Sequence, residues 1–201
     1  MARSARAAVL LSTGTAGVKS FVKPTALRHH PGRITLNILI SACLLGQPVR
    51  YDGRSNEQKM SAYQQQIQRW QQQQRLIPVC PEVAGGLPTP RPAAEIIALD
   101  GRDVLQGTAR VMTVDGEDVS AQFIAGAQQA LTLAQKHGAK AALLAARSPS
   151  CGSHSIYDGS FSGTLHRGMG VTAALLEQHG VRCFSPENFA DLVEWVEGGQ
   201  R

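Results

Sequence analysis

The stretch Leu36-Asn-Ile-Leu-Ile-Ser-Ala42, followed at once by Cys43, decides the fold. Its apolar residues run on without the polar alternation of a half-exposed strand, so it suits a strand covered on both faces in a parallel sheet. Outward from it, a helix is expected from about Ser55-Asn-Glu57 to Arg75, with Met60, Tyr63, Ile67 and Trp70 forming its apolar stripe at spacings of three, four and three. Eight glutamines between Gln64 and Gln74 populate its outer face. Leu76-Ile-Pro-Val79 then reads as a second strand, ending at Cys80, with a long loop after it punctuated by Pro81, Gly85, Gly86, Pro88, Pro90 and Pro92.

Further on, 94–99 and 109–114 read as two strands around an Asp100-Gly101 turn, a small antiparallel insert. Ser120 is the expected N-cap of a helix to about His137, and Ala141-Ala-Leu-Leu-Ala145 the next buried strand. Residues 157–163 read as loop, 170–178 as a helix, 181–184 as a strand and 187–195 as a final helix. This alternation gives an α/β fold: a mostly parallel sheet flanked by helices, a Rossmann-like three-layer sandwich. Ligands in such sheets collect at the carboxyl ends of the strands.

Three cysteines fall at those ends. Their frames are Ser41-Ala-Cys-Leu-Leu-Gly46, Val79-Cys-Pro-Glu-Val-Ala-Gly-Gly86 and Ser148-Pro-Ser-Cys-Gly152, with Cys43, Cys80 and Cys151 separated by 37 and 71 residues. Three thiolates leave one position of a metal centre open. Zinc with His154 as a fourth ligand, copper(I) and an iron–sulfur cluster all fit that count. Cys183 sits inside an apolar strand and reads as a small buried hydrophobe. Glu82, two residues after Cys80, is placed to act as a general base, and Ser148 and Ser150 to orient a substrate or donate to sulfur. Arg50, Asp52, Arg91, Glu95, Tyr157 and Asp158 are candidates for supporting contacts, and His154 and His166 lie near the third frame. Gly168-Met-Gly170, before a helix, could present amides to an anion or simply make a tight turn.

The chain has 201 residues, enough for one domain with its own core. Its four cysteines therefore read as metal-binding or catalytic in a cytoplasmic protein rather than as disulfides. The net charge of +5 is not spread over the molecule. Residues 1–37 hold six basic and no acidic side chains, leaving 14 basic and 15 acidic for the rest. Residues 1–35 are accordingly expected to form a basic, disordered extension, and 36–201 a single α/β domain. No apolar run approaches the roughly 20 residues of a membrane span.

Taken in order, the three cysteine frames with Val49-Arg-Tyr-Asp-Gly53, residues 87–91, Tyr157-Asp-Gly-Ser-Phe-Ser-Gly163 and Gly168-Met-Gly-Val-Thr172 resemble the bacterial thiouracil desulfurase family, over about 36–190. The resemblance implies a [4Fe–4S] cluster held by Cys43, Cys80 and Cys151, whose fourth iron takes the thiocarbonyl sulfur of thiouracil or a related thiolated pyrimidine. It further implies Glu82 as the residue that helps water attack, Ser148 as the active-site serine, and uracil and hydrosulfide as products without net electron transfer. A small thiolated pyrimidine is the expected partner, with thiolated RNA less favoured by the near-neutral domain. Two other classes remain open: a zinc-stabilised binding module and a cluster-based redox sensor.

Overall fold

A computed structural model describes residues 36–98 and 100–198. The extension expected over 1–35 and the end of the strand expected at Leu99 lie outside the described residues.

Four short parallel strands build the central sheet: β1 (Ile38–Ser41), β2 (Leu76–Val79), β5 (Ala141–Leu143) and β8 (Arg182–Phe184), in the order β2-β1-β5-β8. Chain order therefore reverses at β1, with β2 on one side and β5 on the other, which is where sheets of this kind open a crevice. Side chains alternate across the sheet, so neighbouring residues of β1 enter different layers. Ile38 and Ile40 pack with Leu143 and Phe184 against Ile67 and Trp70 of α1 (Gln64–Gln72) and Phe189, Leu192 and Val196 of α6 (Phe189–Glu197). Leu39 packs on the opposite side with Ala142 and Leu144, against Ala130 and Ala134 of α4 (Ser120–Lys136) and Ala173 and Leu176 of α5 (Val171–Gln178). The three layers predicted from the sequence are thus present.

The predicted apolar stripe of the first helix is correctly placed. Met60, Ile67 and Trp70 are buried, and Tyr63 stacks on Phe189 with ring centroids 4.2 Å apart. Its first half, Glu57–Tyr63, is wound as a 3-10 helix. Trp70 Nε1–H and Arg75 both donate to Glu197 Oε1, tying this helix to α6.

Several local expectations differ from the structure. The loop after Cys80 begins as a helical turn, α2 (Pro81–Ala84), because proline at the first helical position needs no partner for its missing N–H. Asp100-Gly101 is a helix start rather than a turn. Asp100 accepts from the Arg102 N–H, Asp103 accepts from the Asp100 N–H, and the resulting capping box opens α3 (Gly101–Gln106). The antiparallel pair around it, β3 (Ala94–Ile96) and β4 (Val111–Thr113), is as predicted. Ser120 lies inside α4 rather than capping it; its hydroxyl donates to Asp118 and accepts from the Val111 N–H, so it fastens the helix to β4. The loop expected over 157–163 is present from residue 158 on, but it is the tip of a hairpin the sequence did not announce, β6 (Ser155–Tyr157) with β7 (Leu165–Arg167). Its sequence lacks a long apolar alternation, and Leu165 and Arg167 are exposed.

Candidate functional site

In the register of the sheet, Ser41 at the end of β1 lies beside Val79 at the end of β2. The chain leaves both strands at one level. Cys43 follows in a 3-10 turn (Ala42–Leu45) closed by Gly46, and Cys80 is the residue from which α2 starts. Leu143 of β5 pairs with Ile40, so the third frame also departs from this edge. Cys43, Cys80 and Cys151 consequently line a single cavity of about 750 Å³, shared with Glu82, Ser148, Arg50, Arg91 and Tyr157.

The third frame is held by its backbone. Gly152 N–H donates to the Ser148 carbonyl, and the carbonyls of Pro149 and Ser150 accept from Val171, Thr172 and Ala173 at the start of α5. The first amides of that helix are thereby used within the protein, which decides the Gly168-Met-Gly170 motif in favour of a structural turn. A Cβ on Gly170 would lie 2.4 Å from the Ser150 carbonyl carbon and oxygen, so only glycine lets the two segments approach. Ser150 adds a hydroxyl contact of 2.9 Å to Thr172 and so serves the loop, not a sulfur.

All four cysteines are free thiols. Burial pushes the Cys43 thiol up from 9.0 to about 11, with Cys80 and Glu82 adding to the rise and Arg50 opposing it. Burial also raises Cys80 and Cys151; for Cys151, Glu82, Cys43 and Cys80 add to the rise while the Ser41 hydroxyl opposes it. All three thiols thus feel the charge of Glu82, and Cys43 and Cys151 also feel Cys80. Ser41 Oγ accepts from the Ala145 N–H and directs its own proton to Cys151 Sγ at 3.6 Å. The sulfur-donating hydroxyl expected of Ser148 or Ser150 is supplied by Ser41. The sequence marks Ser41 only as the last residue of a strand before a cysteine frame.

Glu82 sits between two donors. Arg91 Nε–H donates to its Oε2 at 2.7 Å, and the Ser148 hydroxyl to its Oε1 at 3.3 Å. Ser148 Oγ simultaneously accepts from the Ser150 and Cys151 N–H groups. Arg91 is in turn anchored by the carbonyls of Val49 and Pro88 and by Thr89 Oγ1. Of the other candidates, Arg50 and Asp52 form a forked ion pair at the cavity edge, with Asp52 also accepting from the Arg54 N–H. Glu95 is 8% exposed and accepts from the Gly159 and Phe161 N–H groups, so it positions the hairpin loop. Tyr157 lines the cavity, whereas Asp158 caps its own turn through Ser160.

His154 and His166 do not line this cavity, and His154 Nδ1 is engaged with Ser153. The expectation of His154 as a fourth zinc ligand is therefore overturned by its placement. Cys183 keeps its core role, with its thiol near the carbonyls of Ala173 and Val181. Among the described residues no three His, Cys, Asp or Glu side chains close on one ion position. Three thiols around a shared cavity instead suit a multi-metal cluster, in which each thiolate takes a different metal atom and a hydroxyl donor to sulfur is a usual support.

Comparison with known proteins agrees with this arrangement. A family model described as 2-thiouracil desulfurase matches residues 38–188. YbbK, an uncharacterized protein of Bacillus subtilis (strain 168), is 43% identical over 156 residues, covering 78% of this chain and 99% of the relative. The solved structure of a [4Fe–4S]-dependent thiouracil desulfidase, TudS, superposes with a TM-score of 0.72 at 43% identity, over 82% of this chain and 99% of that one. With three quarters of its length, from the first strand to the start of the last helix, covered by that family model, the chain belongs to the 2-thiouracil desulfurase family.

Proposed function

We propose that this protein exchanges the C=S group of a thiolated pyrimidine of the thiouracil type for C=O, releasing hydrosulfide. The observation that carries the reading is the setting of Glu82, fixed by Arg91 and Ser148 in the cavity that three frame cysteines line. Cys43, Cys80 and Cys151 would hold a [4Fe–4S] cluster, the group named for the related desulfidase TudS. When bound, such a cluster would supply a thiophilic Lewis acid, one of whose irons the three cysteines would leave open to a thiocarbonyl sulfur, and so would polarise C=S.

The protein's own groups provide the rest. A carboxylate offers about four lone-pair positions. Arg91 engages Oε2 of Glu82 through both Nε and Nη2 and Ser148 takes one position on Oε1, leaving capacity on Oε1 for a water beside the ring carbon. Glu82 takes the proton of that water as its oxygen adds to the carbon, a step general bases accelerate by about 10²–10⁴. Ser148, with both acceptor positions filled by backbone N–H groups, keeps its proton toward Glu82 and holds the carboxylate's rotation. Water supplies the oxygen; one of its protons leaves on sulfur as hydrosulfide and the other is released to solvent by way of Glu82, so no electrons are gained or lost.

The near balance of 14 basic and 15 acidic side chains after residue 37 favours a small thiolated pyrimidine over thiolated RNA. The family match begins at residue 38, which supports catalysis by the α/β domain without residues 1–35. The test is an anaerobic assay of cluster-reconstituted protein with 2-thiouracil, 4-thiouracil and a thiolated nucleoside. Uracil-type product and one sulfide per turnover are expected; an iron-loaded protein that releases neither would sink the proposal.

A further inference from the structure

Ser41 is the last residue of β1 and is 2% exposed, yet its hydroxyl is not spent within the strand. The oxygen accepts from the Ala145 N–H at 3.0 Å, and its own proton is directed at Cys151 Sγ, 3.6 Å away. These partners lie 104 and 110 residues further along the chain, so the contact forms only once β1 and β5 pair. The frame sulfurs are not served alike. Burial raises the Cys80 thiol and the backbone N–H groups of Val83 and Glu82 oppose that rise, whereas Cys151, the most deeply buried of the three, has the Ser41 hydroxyl. Among the described residues no other side-chain hydroxyl donates to a frame sulfur.

Resting on the reading that Cys43, Cys80 and Cys151 hold a [4Fe–4S] cluster, we propose that Ser41 is a positioning residue that acts through Cys151. Its hydroxyl withdraws charge from that sulfur, and so raises the cluster's reduction potential and its strength as an acceptor for a thiocarbonyl. The contact tightens when Cys151 becomes a thiolate, because the acceptor then carries charge. The Ala145 N–H pins the oxygen, and burial keeps water from competing for the proton. One-electron reduction adds negative charge that spreads onto the ligand sulfurs. A donor aimed at one of them therefore stabilises the reduced form more than the oxidised one.

The experiment uses reconstituted holoenzyme and its Ser41→Ala, Ser41→Thr and Ser41→Val variants, the last two alike in shape and different in the hydroxyl. On samples matched in iron and sulfide, the one-electron midpoint potential is titrated anaerobically and followed by electron paramagnetic resonance. Ser41→Ala should be about tenfold harder to reduce, a midpoint lower by about 59 mV. Ser41→Thr should stay near wild type and Ser41→Val near Ser41→Ala, with sulfide release from 2-thiouracil following the same order. A merely structural role would lower the melting temperature and leave the midpoint in place. Equal midpoints in Ser41→Thr and Ser41→Val, or loss of the cluster from all three variants, would overturn the assignment; if Ser41→Ala alone cannot hold iron, the Thr and Val pair decides. If the midpoints separate as expected but no protein releases sulfide, the role of Ser41 stands and the proposed reaction fails. A reconstituted wild type without a [4Fe–4S] signal defeats both.

Discussion

The hydroxyl of Ser148 reaches Oε1 of Glu82 across 66 residues of sequence, while its oxygen caps the amides of Ser150 and Cys151. One side chain therefore joins the proposed base to the loop that presents the third thiol. A change at Ser148 should be felt at both ends.

Ser148→Ala leaves the Ser150 and Cys151 N–H groups without their acceptor, at about 1–3 kcal/mol for a buried pair. A melting temperature lower by a few degrees is expected for a chain of this size. Sulfide release should fall as well, since Glu82 loses one of its two constraints. Thermal melts and turnover on iron-matched samples check both effects; loss of neither would leave Ser148 without a role.

Glu82→Gln keeps the shape of the side chain and removes its basicity. Iron content should be retained and turnover should drop by roughly 10²-fold or more. Turnover within about threefold of wild type would reject the base assignment.

Arg91 is 5% exposed at its side chain and makes contacts to Val49, Pro88, Thr89 and Glu82 together. Arg91→Met removes the cation paired with Glu82, which keeps only the Ser148 hydroxyl, and the guanidinium donors to the Val49 and Pro88 carbonyls, for which a loss of about 3 kcal/mol is expected. Arg91→Lys should recover little, because a point charge cannot serve the forked geometry. Denaturant midpoints of the two variants measure this directly.

The buried thiols set a pH dependence for the cluster-free protein. The folded Cys43 holds its proton up to about 11 against an ordinary 9.0, so folding favours the protonated form. Stability is then unaffected below pH 9 and falls as the pH rises from 9.0 towards 11. Loading with iron near neutral pH must release these protons, about three per chain for three thiolate ligands. A denaturation series from pH 7 to about 11 and a proton-release measurement during reconstitution test the two statements; a midpoint that rises with pH would contradict the first.

Gly126→Ala tests the crossing that carries Glu82. The added Cβ would meet the Pro81 carbonyl oxygen at 2.0 Å, so the α2 turn has to move. Activity is expected to fall by more than stability does, because a small displacement at a positioning element is costly in rate. Parallel measurement of melting temperature and kcat separates the two.

Much of the fold was legible because the buried strands announce themselves. Residues 38–40 and 141–145 are uninterrupted apolar runs, and Met60, Ile67 and Trp70 recur at helical spacing. The insert was less legible: Asp100 and Asp103 carry a capping-box spacing, but Asp-Gly is also a strong turn signal, and only the contacts of α3 decide between them. The β6–β7 hairpin escaped because its three-residue strands are too short to show a period. Within the site, residue types beside the cysteines pointed to Glu82 and Ser148. Ser41 was missed because a hydroxyl aimed at a distant sulfur has no local signature.

By itself the sequence determined the parallel α/β sheet, the three cysteine frames at strand exits, the setting of Cys183 in an apolar strand, and the resemblance to thiouracil desulfurases. These depend on patterns within a few residues, which hydrophobic periodicity and turn chemistry write directly into the chain. The tertiary structure decided that Cys43, Cys80 and Cys151 line one cavity, that His154 stays out of it, and that Arg91, Ser148 and Ser41 orient the groups within it. Those outcomes depend on strand order and register, which bring together residues up to 110 positions apart through a sheet that no single segment encodes.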